Sequence, residues 1–289
     1  MAKYGIPYMG SKDKIADDIL SVLPRGKRFV DLFGGGFAMS HAALLSGKYE
    51  QVSYNELNPL LPKLIKDALA GKYANERRWI SREDFSRLKD VDGYVRYIWS
   101  FGNKGDTYLF GKDKEHIKKL GHDFVFFGKD IPGVPNIAET DMRVRRLYLQ
   151  RFIKKNTGER CELQQLEQLQ QLERLQRLQR LQRLEINCGS YLDYQYRDGD
   201  IVYCDPPYED TEKYDNVGFN HKQFYDWVAS REYPVYFSSY KISDNRFNVV
   251  WQTEKQSLLN NSKETKKVVT EYLYCNKAEN PFDYGPLFC

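Results

Sequence analysis

The residues best able to do chemistry lie in IVYCDPPYED, residues 201–210, where an apolar and aromatic run ends in Asp205, two prolines and Tyr208. A residue before proline is pushed out of the helical region into extended backbone, and the rings of Pro206 and Pro207 fix the next two φ angles. Asp205 is therefore expected on a stiff turn at the end of a strand, with the Pro206 carbonyl and the Tyr208 ring beside it. A carboxylate, a fixed carbonyl and an aromatic face together suit a planar heterocycle that bears an amine. The carboxylate and the carbonyl each accept one N–H of the exocyclic group and draw its lone pair toward an electrophile. Tyr208 stacks on the heterocycle with its face, a role in which its hydroxyl is dispensable. This chemistry requires neither a metal nor a covalent nucleophile.

A second constellation stands near the N-terminus. RFVDLF is followed by Gly34-Gly35-Gly36, with Phe33 beside the turn. Glycines at a strand-to-helix turn let backbone approach a ligand closely. The turn lacks the Lys-Ser/Thr of a P-loop and departs from the full dinucleotide fingerprint. About twenty residues on, SYNELNP places Glu56 at the end of a second strand, where an acid commonly holds ribose hydroxyls. Glycine turn and acid together point to a nucleoside-bearing cofactor.

The elements that must position these groups are legible in the pattern. Ile15, Ile19, Leu20 and Leu23 fall at helical spacing before Pro24 and Gly26. Strand RFVDLF, the glycine turn, helix FAMSHAALLSG closed by Gly47, strand QVSYNE and a helix from Pro59 through Leu69 form the first unit of a doubly wound parallel sheet. From about Ala74 to Lys155 the texture turns aromatic, basic and glycine-rich, and the alternation is lost. Strands return with DIVYCD, YPVYFSSY and KKVVTEYLYCN. The expected fold class is α/β, a mostly parallel Rossmann-like core in two parts, residues 1–73 and 187–289, interrupted by an insertion at 74–160 and a leucine-rich segment at 161–186.

In that segment leucine occupies 163, 166, 169, 172, 175, 178, 181 and 184, a period of three. Three residues of α-helix turn about 300°, so the leucines of a long α-helix would spiral around it and leave no single stripe. A 3₁₀-helix would eclipse them into one stripe, and a short solenoid or a loosely docked spacer are the remaining readings.

At 289 residues and 41% hydrophobic content the chain can bury a real core. Its net charge of +4 favours a polyanionic partner only weakly. Cys161, Cys188, Cys204, Cys275 and Cys289 are single and odd in number, which signals neither a disulfide framework nor a zinc knuckle. No apolar run approaches the roughly 20 residues that span a bilayer. A soluble, unprocessed protein of the reducing cytoplasm is expected.

Taken in order, these segments resemble the Dam-type adenine-specific DNA methyltransferases, which use S-adenosylmethionine and flip the target base. YMGSKDKIADDILSVLPRG is similar to that family's opening aromatic-x-Gly-Gly-Lys segment, FVDLFGGGFAMS to its FxGxG loop, NELNPLL to its acidic turn, GSYLDY to its adenine-bracketing pair and VYCDPPY to its catalytic signature. KETKKVVTEYLY looks like its closing basic segment and strand. The resemblance implies a catalytic set of Asp205, Pro206, Pro207 and Tyr208. It implies S-adenosylmethionine contacts from Tyr8, Gly10, Lys12, Asp31, Phe33, Gly34, Gly35, Glu56, Ser190, Tyr191 and Asp205, with Lys12 near the cofactor's carboxylate end. Phe37 stands where the family usually has a glycine, and Glu56 and Ser190 where Asp is frequent.

The insertion corresponds to the family's target-recognition region. Its loop WSFGNKGDTYLFGK offers Asn103, Lys104, Tyr108 and Lys112 to double-stranded DNA, a Lys, Tyr and Phe mixture that suits phosphate binding and base stacking. The implied setting is the cytoplasm of a bacterial or phage-infected bacterial cell. Two other readings compete with adenine methylation: transfer to the exocyclic amine of cytosine, which the same acceptor geometry allows, and a binding protein that keeps the cofactor fold without turnover.

Overall fold

The computed structural model describes residues 3–135, 137, 139–157, 164–180, 183–209, 219–256 and 268–277. Along the chain run α1 (Ala16–Val22), β1 (Gly26–Asp31), α2 (Ala38–Ser46), β2 (Tyr49–Glu56) and α3 (Leu60–Leu69). Then come α4 (Arg82–Leu88), α5 (Gly93–Ile98), α6 (Glu115–Phe127), α7 (Met142–Thr157) and α8 (Gln164–Leu175). Last are β3 (Leu184–Cys188), β4 (Asp200–Cys204), α9 (His221–Ala229), β5 (Val235–Ser239), β6 (Asn248–Gln256) and β7 (Val268–Cys275). None of the described helices is long and apolar enough to cross a membrane.

The described residues divide into two compact units. One comprises residues 3–5, 11–62 and the described residues from 183 onward, and it carries a seven-stranded sheet of order β3-β2-β1-β4-β5-β7-β6. The strand pairs β1–β2, β1–β4, β2–β3 and β4–β5 are parallel, whereas β7 is antiparallel to both β5 and β6. A single reversed strand therefore interrupts an otherwise parallel sheet. Strands β4 and β5 are buried at every position, and the core between sheet and α9 gathers Val202, Cys204, Phe224, Trp227, Val228 and Phe237. Such continuous apolar strands are what a sheet covered on both faces requires. Across β1 and β4, Arg28 donates from Nε and Nη2 to the two oxygens of Asp200, at 2.8 and 2.6 Å.

The second unit, residues 6–10 and 63–180, holds α4 through α8 and no strand among its described residues. Its core is aromatic: Trp79 stacks on Phe110 at 5.6 Å and meets Trp99 edge-on at 5.2 Å.

The leucine segment departs from the expectation of a spiral. Residues 164–175 are α-helical and 176–180 continue as a 3₁₀-helix. Leu169, Leu172, Leu175 and Leu178 are all buried. Each three-residue step in α-helix falls back about 60°, so Leu169 to Leu175 sweep only about 120°, no wider than an ordinary buried face. At Leu175 the helix tightens to three residues per turn, which eclipses Leu178 and stops the drift. The described segment is thus neither a solenoid nor a loosely docked spacer. Leu163 and Leu181 lie outside the described residues, and Leu184 opens β3.

Candidate active site

Parallel strands present their ligand groups at their C-terminal ends. Here that edge carries Asp31 at the end of β1, Glu56 at the end of β2, Ser190 just after β3 and Asp205 just after β4. β7 runs the opposite way, so its beginning lies at this edge: Tyr272 pairs with Ser239, the last residue of β5. Glu271 precedes that pair and is buried.

Four side chains from distant parts of the sequence converge there. Lys12 Nζ lies 2.6 Å from Asp205 Oδ2 and 3.4 Å from Glu271 Oε1. The Tyr208 hydroxyl donates to Asp205 Oδ1 at 3.1 Å and to Glu271 Oε1 at 2.7 Å. The Lys12 ammonium also sits over the Tyr208 ring, 4.9 Å from its centre, and Tyr240 meets that ring edge-on at 4.7 Å. Burial raises the Asp205 carboxyl above the ordinary aspartate range, an effect that Lys12 opposes and the Glu271 charge reinforces. Burial likewise drives the Tyr208 phenol well above its usual range, so it stays a donor.

The glycine turn is built by close packing. A Cβ on Gly34 would lie 2.1 Å from the Tyr54 ring, so no side chain fits at this position. The Gly35 amide donates to Glu56 Oε2 at 2.9 Å, and the Asn58 amide to Oε1 at 2.9 Å, which fixes the carboxylate and leaves each oxygen a further lone pair. Burial raises the Glu56 carboxyl, partly offset by these bonds. Asn55 ties the strand ends together, donating to the Leu32 and Gly189 carbonyls. Asp31 accepts from Ser40 Oγ at 2.7 Å, and its other oxygen, Oδ1, is buried with no hydrogen-bond partner among the described residues. Desolvation pushes this carboxyl up to about 7.

Phe37 adopts φ 69° and ψ 13°, left-handed backbone that favours glycine. A non-glycine residue in this conformation costs of order 1 kcal/mol or more. The Phe37 ring offsets that cost by full burial, edge-on to Tyr54 at 5.5 Å.

Phe33 and Tyr191 lie together, ring centres 5.2 Å apart, with Tyr191 also packed edge-on against Phe224 and Trp227. Ser190 Oγ accepts from the Leu192 amide and caps the short 3₁₀ turn that follows. Tyr8 and Gly10 belong to the other compact unit, where Tyr8 packs on Tyr97 at 5.6 Å.

Of the residues expected to touch DNA, Asn103 donates to the Tyr97 carbonyl at 2.7 Å, and Lys104 and Lys112 are exposed. Tyr108 is buried and its hydroxyl donates to the Ile80 carbonyl at 2.6 Å, so its side chain serves the core of its unit. Glu271 is the member of this cluster that the sequence reading misses. A signal for it exists, since in VVTEYLYC strand alternation puts it on the face of Leu273 and Cys275, an acid among buried apolar residues.

The family model described as D12 class N6 adenine-specific DNA methyltransferase matches residues 8–232, more than half of the chain. No curated protein matches. Among solved structures the chain is similar to that of the candidate methylase HI0767 from Haemophilus influenzae, with 12% identity, coverage of 93% of this chain and 91% of that one, and a TM-score of 0.34.

Proposed function

The chain belongs to the D12 class N6 adenine-specific DNA methyltransferases and transfers a methyl group to N6 of adenine in DNA, and we propose that it does so on double-stranded DNA, with S-adenosylmethionine as donor and Asp205, Pro206, Pro207 and Tyr208 as the acceptor site. Adenine specificity replaces the cytosine and non-catalytic alternatives.

The residues of the sheet edge suit that donor. Glu56, fixed by two backbone amides and still able to accept from two hydroxyls, would hold a ribose. Gly34 and Gly35 keep the backbone bare beside it, and the unpartnered buried oxygen of Asp31 suits a cationic N–H group. Lys12, Phe33, Ser190 and Tyr191 complete the set. When bound, this cofactor supplies an electrophilic methyl group on a sulfonium.

The chain's own part is to prepare the amine. A base inside a duplex is out of reach of a buried carboxylate, so the target adenine must leave the stack. Tyr208 stacks on it, while Asp205 and the Pro206 carbonyl accept its two N–H groups and turn the nitrogen lone pair outward. Methylation exchanges the donor's C–S bond for an N–C bond, and Asp205 would take up the proton that the amine sheds, a role that its raised pKa favours.

In the helical unit, the inserted recognition region contacts the duplex. Asn103, Lys104 and Lys112 remain the residues assigned to its loop, and α7, which has no acidic residue, adds the exposed Arg143, Arg151, Lys154 and Lys155.

The observation that carries this reading is the half-buried Asp205 carboxylate held beside Tyr208 on a rigid diproline turn. Its test is transfer of labelled methyl from S-adenosylmethionine to duplex DNA, with N6-methyladenine identified in the digest. Asp205→Ala is expected to lower the rate by at least about 100-fold, the usual cost of one positioned electrostatic partner, with the fold intact. A rate within tenfold of wild type would overturn the assignment.

A further inference from the structure

Both oxygens of Asp205, the group assigned to accept the adenine amine, are already engaged inside the chain. Oδ2 holds the Lys12 ammonium and Oδ1 the Tyr208 hydroxyl. Glu271 is the second partner of both donors, and it meets them with the same oxygen, Oε1. Tyr208 is already closer to Glu271, 2.7 Å against 3.1 Å. Lys12 is closer to Asp205, and a shift of about 0.6 Å would bring it into ordinary charge-assisted contact with Glu271.

A carboxylate whose side chain is only 3% exposed, on an otherwise apolar strand face, is costly to place unless its charge is used. We propose that Glu271 is a positioning residue that draws Lys12 and the Tyr208 hydroxyl off Asp205, freeing both Asp205 oxygens for the amine of the target base. This rests on the reading of Asp205 as the amine's acceptor. Without Glu271, an incoming neutral amine would compete with a cation for the Asp205 carboxylate and lose. With it, the cation and the phenol have a place to go within the site, and no charge has to leave the protein. Glu271 lies beyond the residues matched by the family model, which end at 232.

Two substitutions separate this role from a structural one. Glu271→Gln keeps the size and an acceptor for Tyr208 but removes the charge that attracts Lys12. Glu271→Asp keeps the charge and shortens the reach. The expected result for Glu271→Gln is a kcat about 10- to 100-fold lower with KM for DNA and for S-adenosylmethionine within about threefold, and a melting temperature near wild type. Glu271→Asp is expected to melt lower than Glu271→Gln, because it leaves a gap, and yet to turn over faster.

A Glu271→Gln enzyme within twofold of the wild-type kcat would overturn the proposal. So would a series in which kcat follows melting temperature, the Asp variant being worse in both, because that ordering marks a purely structural residue. Asp205→Ala assayed beside them keeps the two readings apart: activity retained in that variant rejects the acceptor assignment, whereas its loss together with an unaffected Glu271→Gln rejects only the role of Glu271.

Discussion

The hydroxyl of Tyr208 is shared between the half-buried Asp205 and the buried Glu271 carboxylates, so removing it costs more than a stacking role would suggest. Tyr208→Phe leaves the ring in place but removes the single donor that Asp205 and Glu271 share, and an abandoned buried acceptor such as Glu271 typically costs about 1–3 kcal/mol. We expect kcat/KM to fall by about 5- to 150-fold in the Phe variant, and by a further 1–3 kcal/mol or so in Tyr208→Ala, where base stacking is also lost. Wild-type kcat/KM in Tyr208→Phe would show the hydroxyl bonds to be idle. The string DPPY could reveal the ring, the rigid backbone and the carboxylate because they are contiguous. It could not reveal where the phenol goes, because Glu271 stands 63 residues further along the chain.

At the scale of elements, α8 and its 3₁₀ continuation offer the sharpest test, since a period-three repeat buries more than leucine. Gln168 falls within the leucine arc and Gln171 about 40° beyond its edge; both are buried, and their side-chain oxygens have no hydrogen-bond partner among the described residues. Leu172→Ala is expected to destabilise by about 2–5 kcal/mol, the range for emptying a buried leucine site. Gln171→Leu is expected to be neutral or stabilising, since it removes an unpaired polar atom from the interior. Denaturant melts of the two variants check both, and indifference to Leu172→Ala would mean that this helix adds nothing to its unit.

The neighbouring elements show why some of the fold was readable and some was not. β1, α2, β2, β4, β5 and β7 each carry a strong apolar pattern bounded by glycine, proline or charge. β3 hid inside the leucine series, because Leu184 completes the period of three and LEINC has no buried position to mark its pairing face. β6, NVVWQTEKQ, lies at the sheet margin and mixes polar with apolar residues, so its alternation is faint. The α-helix of the leucine run was obscured for a different reason: drift that disperses leucines over a long helix is harmless over 12 residues.

For the whole molecule, net charge is a poor guide and its distribution a better one. The chain as a whole carries +4, while α7 alone bears six Arg and Lys residues and no acid. Arg145 turns inward to the Val125 carbonyl and Arg146 reaches Glu167, whereas Arg143, Arg151, Lys154 and Lys155 are exposed. Replacing Arg143, Arg151 and Lys154 by Gln is expected to flatten the dependence of log Kd for DNA on log salt by about 0.9 for each phosphate no longer neutralised, with kcat at saturating DNA retained. An unchanged slope would place the duplex elsewhere.

The reversed strand also sets an order of events on the ribosome. β7 lies between β5 and β6 in the sheet but is made after both. While the chain is being synthesised, β6 therefore emerges before its neighbour exists, and β5 keeps an open edge until residues 268–275 follow. Glu271, which β7 carries, is thus the last of the four converging side chains to be synthesised, and the cluster is complete only once residues 268–275 have joined the sheet.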